Sequence, residues 1–140
     1  MFPKRKYPVS DLRKRINKLD KVFSEYIRLR DANPQGLCFC ITCNRPFNWR
    51  EGDAGHYVQR DRLATRYDEK NVHAQCKYCN RFRSGEQYNH GIAIDKKYGD
   101  GTAKKLMTIS KVKGCKLDCY WLEIKLKEYR KKVKELKTKQ

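Results

Sequence analysis

Two pairs of cysteines with the same internal spacing constrain this chain more than any other feature: Cys40-Ile41-Thr42-Cys43 and Cys76-Lys77-Tyr78-Cys79. Two residues between thiols let one tight turn present both sulfurs to a common point, and a second such turn completes a four-cysteine zinc site. A closed site of four thiolates leaves no open coordination position, so it is expected to be structural, with one zinc per chain. Zinc capture contributes folding free energy, on the order of 10 kcal/mol in small metallo-domains. A thioredoxin-like redox pair would sit at the end of a strand in a βαβ unit, a context neither pair has. Seven cysteines are present, and no apolar stretch follows the basic N-terminus to read as a secretory signal. The cysteines are therefore expected to be metal ligands in a reducing cytoplasm rather than a disulfide framework. Cys38 could compete for the zinc, but Cys40 has the better spacing. Cys115 and Cys119 are expected to be small, half-buried residues near a helix start.

The flanks read as helices. Leu12, Ile16, Leu19, Phe23 and Tyr26 recur at alternating steps of four and three, after a candidate cap at Ser10 and before Asn33-Pro34-Gln35-Gly36. Leu122, Leu126, Tyr129, Val133 and Leu136 repeat that spacing after a candidate cap at Asp118. The stripes are expected to pack on each other or on the centre; the sharper alternative is a dimer seam, short for a coiled coil. Between the flanks, short strand-like pieces occupy 37–80. A helix is expected from Ser84 to about Lys97, then a Gly99-Asp100-Gly101 turn, then a short helix near 102–109. The reading is one α+β domain over 1–140: an N-terminal helix at about 9–32, a zinc-bound core at 37–99 and a basic helix at 117–138.

Charge narrows the partner. Lys and Arg outnumber Asp and Glu 34 to 16, a net charge of +18. The surplus is concentrated on the helices, ten to three over residues 1–30 and eight to three over 123–140. Such a surface steers the chain to a polyanion, and nucleic acid is the first expectation. No apolar run approaches the roughly 20 residues needed to span a bilayer, so no membrane partner is expected.

Between and just after the knuckles lie Asp53-Ala54-Gly55-His56-Tyr57, Asn71-Val72-His73-Ala74-Gln75, and Asn80. Phosphodiester hydrolysis needs a base near neutral pKa and a divalent cation to offset charge on the phosphate. A histidine supplies the first, and Asp and Asn oxygens suit Mg²⁺ or Mn²⁺. Arg60, Arg62, Arg66, Lys77, Arg81 and Arg83 could clamp phosphates, which positions DNA without reading its sequence. A non-catalytic zinc-ribbon DNA-binding module is the competing reading of the same residues.

The order of a C-x-x-C knuckle, D-A-G-H-Y, N-V-H-x-Q-C-x-x-C-N and Ser84-Gly85 resembles the phage NinG (Rap) recombination endonucleases, from about Cys40 to Gly99. More distantly it is similar to the His-Me finger (HNH-like) nucleases, whose ββα-metal core is a β-hairpin followed by a helix. The resemblance implies a zinc-stapled ββα core flanked by amphipathic helices. It also implies a metal-dependent DNA endonuclease acting on branched recombination intermediates, such as Holliday junctions and D-loops, inside the bacterial host. An HNH-type nuclease on unbranched DNA is the alternative it leaves open. Carried across, His56 becomes the general base, Asn71 the residue that pins the loop and orients it, and Asn80 a ligand of the catalytic metal. Asp53 could ligate that metal or buttress the base. Many HNH enzymes place a metal-binding Asp immediately before the base; Gly55 stands there. His73 could contact phosphate, support the site or be a plain finger residue, and His90 is expected on the surface.

Overall fold

The computed structural model describes residues 9–140, with side chains from residue 11 onward. Helix α1 (Val9–Asp31) begins one residue ahead of Ser10, whose side chain lies outside the described residues. Strands β1 (Leu37–Phe39) and β2 (Pro46–Asn48) form one antiparallel pair, with Cys38 opposite Phe47. Strands β3 (Asp53–His56) and β4 (Val72–Gln75) form a second, with Asp53 opposite Gln75 and His56 opposite Val72. A π-helical turn over Tyr78–Phe82 and a 3-10 turn over Ser84–Glu86 lead into α2 (Gln87–Tyr98). The remaining helices are α3 (Thr102–Ser110) and α4 (Cys119–Lys137). The architecture is a small α+β fold with helices around two short hairpins.

The two stripes pack on each other. Leu19, Phe23, Tyr26 and Ile27 of α1 share a core with Leu122, Tyr129 and Val133 of α4, and with Val72 and Ala74 of β4. Phe23 sits at the centre, edge-on to Tyr129 (centroids 5.0 Å apart) and to Tyr67 (5.4 Å). Each such fully buried side chain is worth roughly 1.5–3 kcal/mol. The surface offered for a dimer seam is thus largely used within the chain. As expected, Asp118 caps α4, its carboxylate accepting from the Trp121 N–H at 2.9 Å.

The outer edge of β4 would otherwise present unpaired backbone groups. The end of α1 covers it with side chains. Asp31 accepts the Ala74 N–H at 2.8 Å, and the Arg30 guanidinium donates to the carbonyls of Glu69 and Val72, both at 2.8 Å. The Ile41 N–H donates to the Ala74 carbonyl at 3.1 Å, joining the two hairpins. The last α1 turn therefore fixes the strand behind the candidate base.

The helix expected from Ser84 begins later, at Gln87. Ser84, Gly85 and Glu86 all have left-handed backbone, with φ of 52°, 78° and 49°. Three such residues in a row cannot continue a right-handed helix. The Gly99-Asp100-Gly101 turn and the following helix stand as expected. Gly99 (φ 112°) ends α2, and Asp95 of α2 accepts the Ala103 N–H at 2.8 Å to satisfy the start of α3. Val58, Ile94, Ala103 and Leu106 form a second small core there.

Candidate metal centre and adjoining cleft

The four knuckle cysteines converge. The sulfurs of Cys40, Cys43, Cys76 and Cys79 all lie within 4.8 Å of one another, and those of Cys43 and Cys76 are 3.8 Å apart. A tetrahedron with Zn–S bonds of about 2.3 Å has edges of about 3.8 Å, so the cluster fits that ion without rearrangement of the fold. Local geometry follows from the spacing. Asn44 adopts the left-handed conformation (φ 62°) that reverses the chain after Cys43, and the Cys79 N–H points at the Cys76 sulfur, 3.4 Å away. Burial pushes the Cys79 thiol up to about 12. At Cys40 burial is outweighed by hydrogen bonds from the Thr42 hydroxyl and nearby amides, which bring the thiol down to about 6. A divalent cation bound there would hold all four as thiolates. Cys38 is outside the cluster: it is buried and its thiol faces the Arg28 carbonyl at 3.1 Å. Cys119 is buried near the α4 start, and Cys115 is exposed.

His56 ends β3 beside this cluster, on an open cleft of about 470 Å³ that Asp53, Asn80, Arg60 and Asp20 also line. Its Nε2 lies 2.9 Å from the Arg66 carbonyl. A carbonyl only accepts, so Nε2 carries the proton and Nδ1 keeps the lone pair. Burial, helped by the Arg60 and Arg66 cations and opposed by that carbonyl, brings the imidazole down to about 4, so it is neutral at pH 7.

The loop after His56 is held by two devices. Asn71 is fully buried: Oδ1 accepts the Val58 N–H at 2.7 Å, and Nδ2 donates to the carbonyls of Val58 and Thr65 at 3.0 and 3.1 Å. The other lies in α1, where Asp20 accepts from Arg66 Nε at 3.0 Å and from the Tyr67 hydroxyl at 2.7 Å. The expected phosphate contact of Arg66 is thereby corrected. Its side chain is 15% exposed and is spent on Asp20 and the Arg60 carbonyl, which it meets at 2.8 Å. Arg60, Arg62, Lys77, Arg81 and Arg83 are exposed.

Asp53 accepts from Asn80 Nδ2 at 2.9 Å and from Arg81 through both oxygens, at 2.9 and 3.0 Å. Burial would raise its pKa, but these donors hold the carboxyl below its ordinary value. A carboxylate only accepts, so the Asn80 amide nitrogen faces Asp53 and its Oδ1 turns away, free in chemistry to meet a cation. Asn80 lies within the π-helical turn, seven residues before α2, rather than at a helix start.

Gly55, just before the candidate base, leaves little room for a side chain. A Cβ on Gly55 would stand 2.0 Å from Gln75 Oε1 and 3.0 Å from its Cδ. Gln75 is fully buried, its Nε2 donating to Thr42 Oγ1 at 3.1 Å and to the Gly85 carbonyl at 2.8 Å, while Oε1 has no partner among the described residues. One side chain thus joins the first knuckle, the base strand and the left-handed turn. The sequence analysis did not single it out.

His90 departs from the expected surface position. It is fully buried, and its Nε2 lies 3.1 Å from His73 Nδ1, while His73 Nε2 lies 2.9 Å from the Tyr98 hydroxyl. Burial brings His73 down to about 3 and His90 to about 4, so both are neutral and seat α2 on β4. His73 is 1% exposed and does not reach a phosphate.

The family model described as Bacteriophage Lambda NinG protein matches residues 2–139. The chain is 31% identical over 87 residues to Protein ninG of Salmonella phage P22, covering 60% of this chain and 39% of that one. It is 26% identical over 134 residues to Protein ninG of Escherichia phage lambda, covering 88% and 57%. The chain therefore spans from about two fifths to under three fifths of the length of these curated relatives. No solved structure matches it.

Proposed function

This chain belongs to the NinG family, and on that premise we propose that it is a metal-dependent DNA endonuclease whose general base is His56. The observation that carries the reading is the bond from His56 Nε2 to the Arg66 carbonyl, which reserves Nδ1 as a proton acceptor on the cleft shared with Asp53 and Asn80. Nδ1 takes a proton from the attacking water; burial keeps the imidazole unprotonated at pH 7 and, at about 4, makes it a weaker base than the near-neutral histidine this chemistry favours. Asn71 and the Asp20–Arg66 pair hold the loop that carries the partner carbonyl, so the ring keeps one orientation. One carboxylate and one amide oxygen suit Mg²⁺ or Mn²⁺, ions that retain several waters, and Asp53 and Asn80 would hold it. Bound there, the cation offsets charge on the phosphate and the leaving oxygen. Arg60, Arg62 and Lys77 contact the flanking phosphates, and Arg81 and Arg83, though paired with Asp53 and Glu86, are more than half exposed and reach them with their remaining donors.

The zinc in this reading is structural, one per chain, and sets the second knuckle from which Asn80 and Arg81 project. The placement among His-Me finger nucleases rests on β3 and β4 forming a hairpin with His56 at the end of its first strand. The preference for branched recombination intermediates in the infected bacterium comes from the family resemblance. The test is cleavage of a synthetic four-way junction and of its linear arms in millimolar Mg²⁺ or Mn²⁺. Wild type is expected to nick the junction, and His56→Ala to bind it equally but cut at least about 100-fold more slowly. Wild type that binds and never cuts would leave a zinc-ribbon DNA-binding module.

A further inference from the structure

Single exposed aromatics are ordinary on a folded surface, as Tyr88 and Tyr120 are here, whereas two adjacent ones among cations on one turn are a patch. Here Phe82 is 79% exposed and Tyr78 51% exposed, both on the π-helical turn that also carries Asn80. Their rings lie 6.2 Å apart at an interplanar angle of 30°, and the Arg45 guanidinium lies 6.0 Å from the Tyr78 ring. Cations interleave with them along the chain, as Lys77-Tyr78 and Arg81-Phe82-Arg83, and all three basic residues are exposed. The turn is firmly held: Cys79 ties one end to the metal cluster, Gln75 takes the Gly85 carbonyl at 2.8 Å, and Arg83 pairs with Glu86. Phe82 is therefore presented by a braced turn, and nothing among the described residues covers it.

Two neighbouring π faces among guanidinium and ammonium groups match an unstacked nucleobase beside its own phosphates. A base in intact duplex has both faces covered, whereas one at a branch, flap or single-stranded gap offers a free face. Stacking on aromatic side chains is tolerant of base identity, because every base has such a face. Charge argues for nucleic acid over an apolar protein surface, since Lys77, Arg81, Arg83 and Arg45 would each be desolvated by the latter. We propose that Tyr78 and Phe82 form a stacking platform for an unpaired DNA base next to the cleft. On the nuclease reading, on which this rests, the platform selects DNA that is open at the point of cutting.

The test is equilibrium binding of the full chain, carrying His56→Ala and without divalent cation, to oligonucleotides with 2-aminopurine in a three-nucleotide gap and to the matching full duplex. Phe82→Ala and Tyr78→Ala are expected to weaken gap binding about fivefold to a hundredfold each, and duplex binding less than twofold. Phe82→Trp should retain gap binding and the fluorescence change, and Phe82→Leu should lose both, because leucine keeps apolar area without the π face. Equal losses on gap and duplex, no loss on either, or full function in Phe82→Leu would overturn the platform, the last pointing to a protein partner. Because this measurement needs no cleavage, a chain that stacks bases yet never cuts DNA would sink the nuclease reading alone.

Discussion

The four-cysteine cluster follows strands β1 and β4 and the His56 cleft runs along β3, yet the two treat their donors in opposite ways. At the cluster, four sulfurs within 4.8 Å face one point, and knuckle backbone or hydroxyl groups surround them. At the cleft two residues are half committed: His56 spends Nε2 and keeps Nδ1, and Asn80 spends its amide nitrogen and keeps its carbonyl, while both Asp53 oxygens already accept from Arg81. A saturated centre can only stabilise, whereas a half-committed one has groups left to meet water, metal and phosphate. Position in the fold makes the first serve the second, because Cys79 and Asn80 are consecutive on one turn.

The largest test of that contrast is Cys76→Ser. Loss of zinc-linked free energy on the order of 10 kcal/mol is comparable with the whole stability of a small domain, about 5–15 kcal/mol. The variant should show no cooperative melting by circular dichroism and far less than the one zinc per chain expected of wild type. A folded, zinc-free variant would break the comparison. Next is Asn71→Ala, which strands the Val58 N–H and the carbonyls of Val58 and Thr65 inside the protein. It should cost about 2–4 kcal/mol in urea denaturation while zinc content stays at wild-type level.

A smaller effect comes from the buried histidine pair. His73 and His90 have folded pKa values of about 3 and 4, below the unfolded value of about 6.5, so the folded state binds fewer protons. Their contribution is intact above pH 6.5 and is lost as pH falls toward those values, by about 1 kcal/mol per histidine between pH 6.5 and 5.5. Denaturation midpoints at the two pH values, with zinc content checked at each, should show the drop, and His90→Gln should show less of it. Smallest is Arg62→Gln: stability within about 0.5 kcal/mol, and a salt slope of DNA binding shallower by about 0.9. Arg66→Gln should do the reverse, lowering stability and leaving the slope unchanged, because its charge is already paired with Asp20.

Local chemistry was legible and tertiary chemistry was not. Cys40, Cys43, Cys76 and Cys79 could be paired from spacing alone, because the metal's geometry is written into two-residue gaps. The cap at Asp118 and the stripes of α1 and α4 are likewise determined within a few residues. His90 was placed on the wrong side because α2 is polar on several faces, and its partner His73 lies 17 positions away. Ser84 to Glu86 looked helical since nothing in those three residues reports the pull of Gln75 on the Gly85 carbonyl. Arg66 read as a free cation until Asp20, 46 positions earlier, was seen to hold it. The role of Asn71 in pinning the loop was anticipated through resemblance, and the bonds that carry it are seen in the fold.

The overlap between a Gly55 side chain and Gln75 imposes an order on any evolutionary route to a different metal shell. With Gln75 in place, Gly55→Asp would bring its Cβ to 2.0 Å from the amide oxygen, so that step alone requires the buried Gln75 side chain to move and to break its bonds to Thr42 and Gly85. If Gln75→Ala comes first, the 2.0 Å overlap is gone and only a tight 3.1 Å contact with the residue 75 Cβ remains. The two positions are thus epistatic, with the second substitution harmful or tolerated according to history. A double-mutant cycle on thermal stability should find Gly55→Asp less damaging in the Gln75→Ala background than in wild type, and simple additivity would show that the strands yield instead.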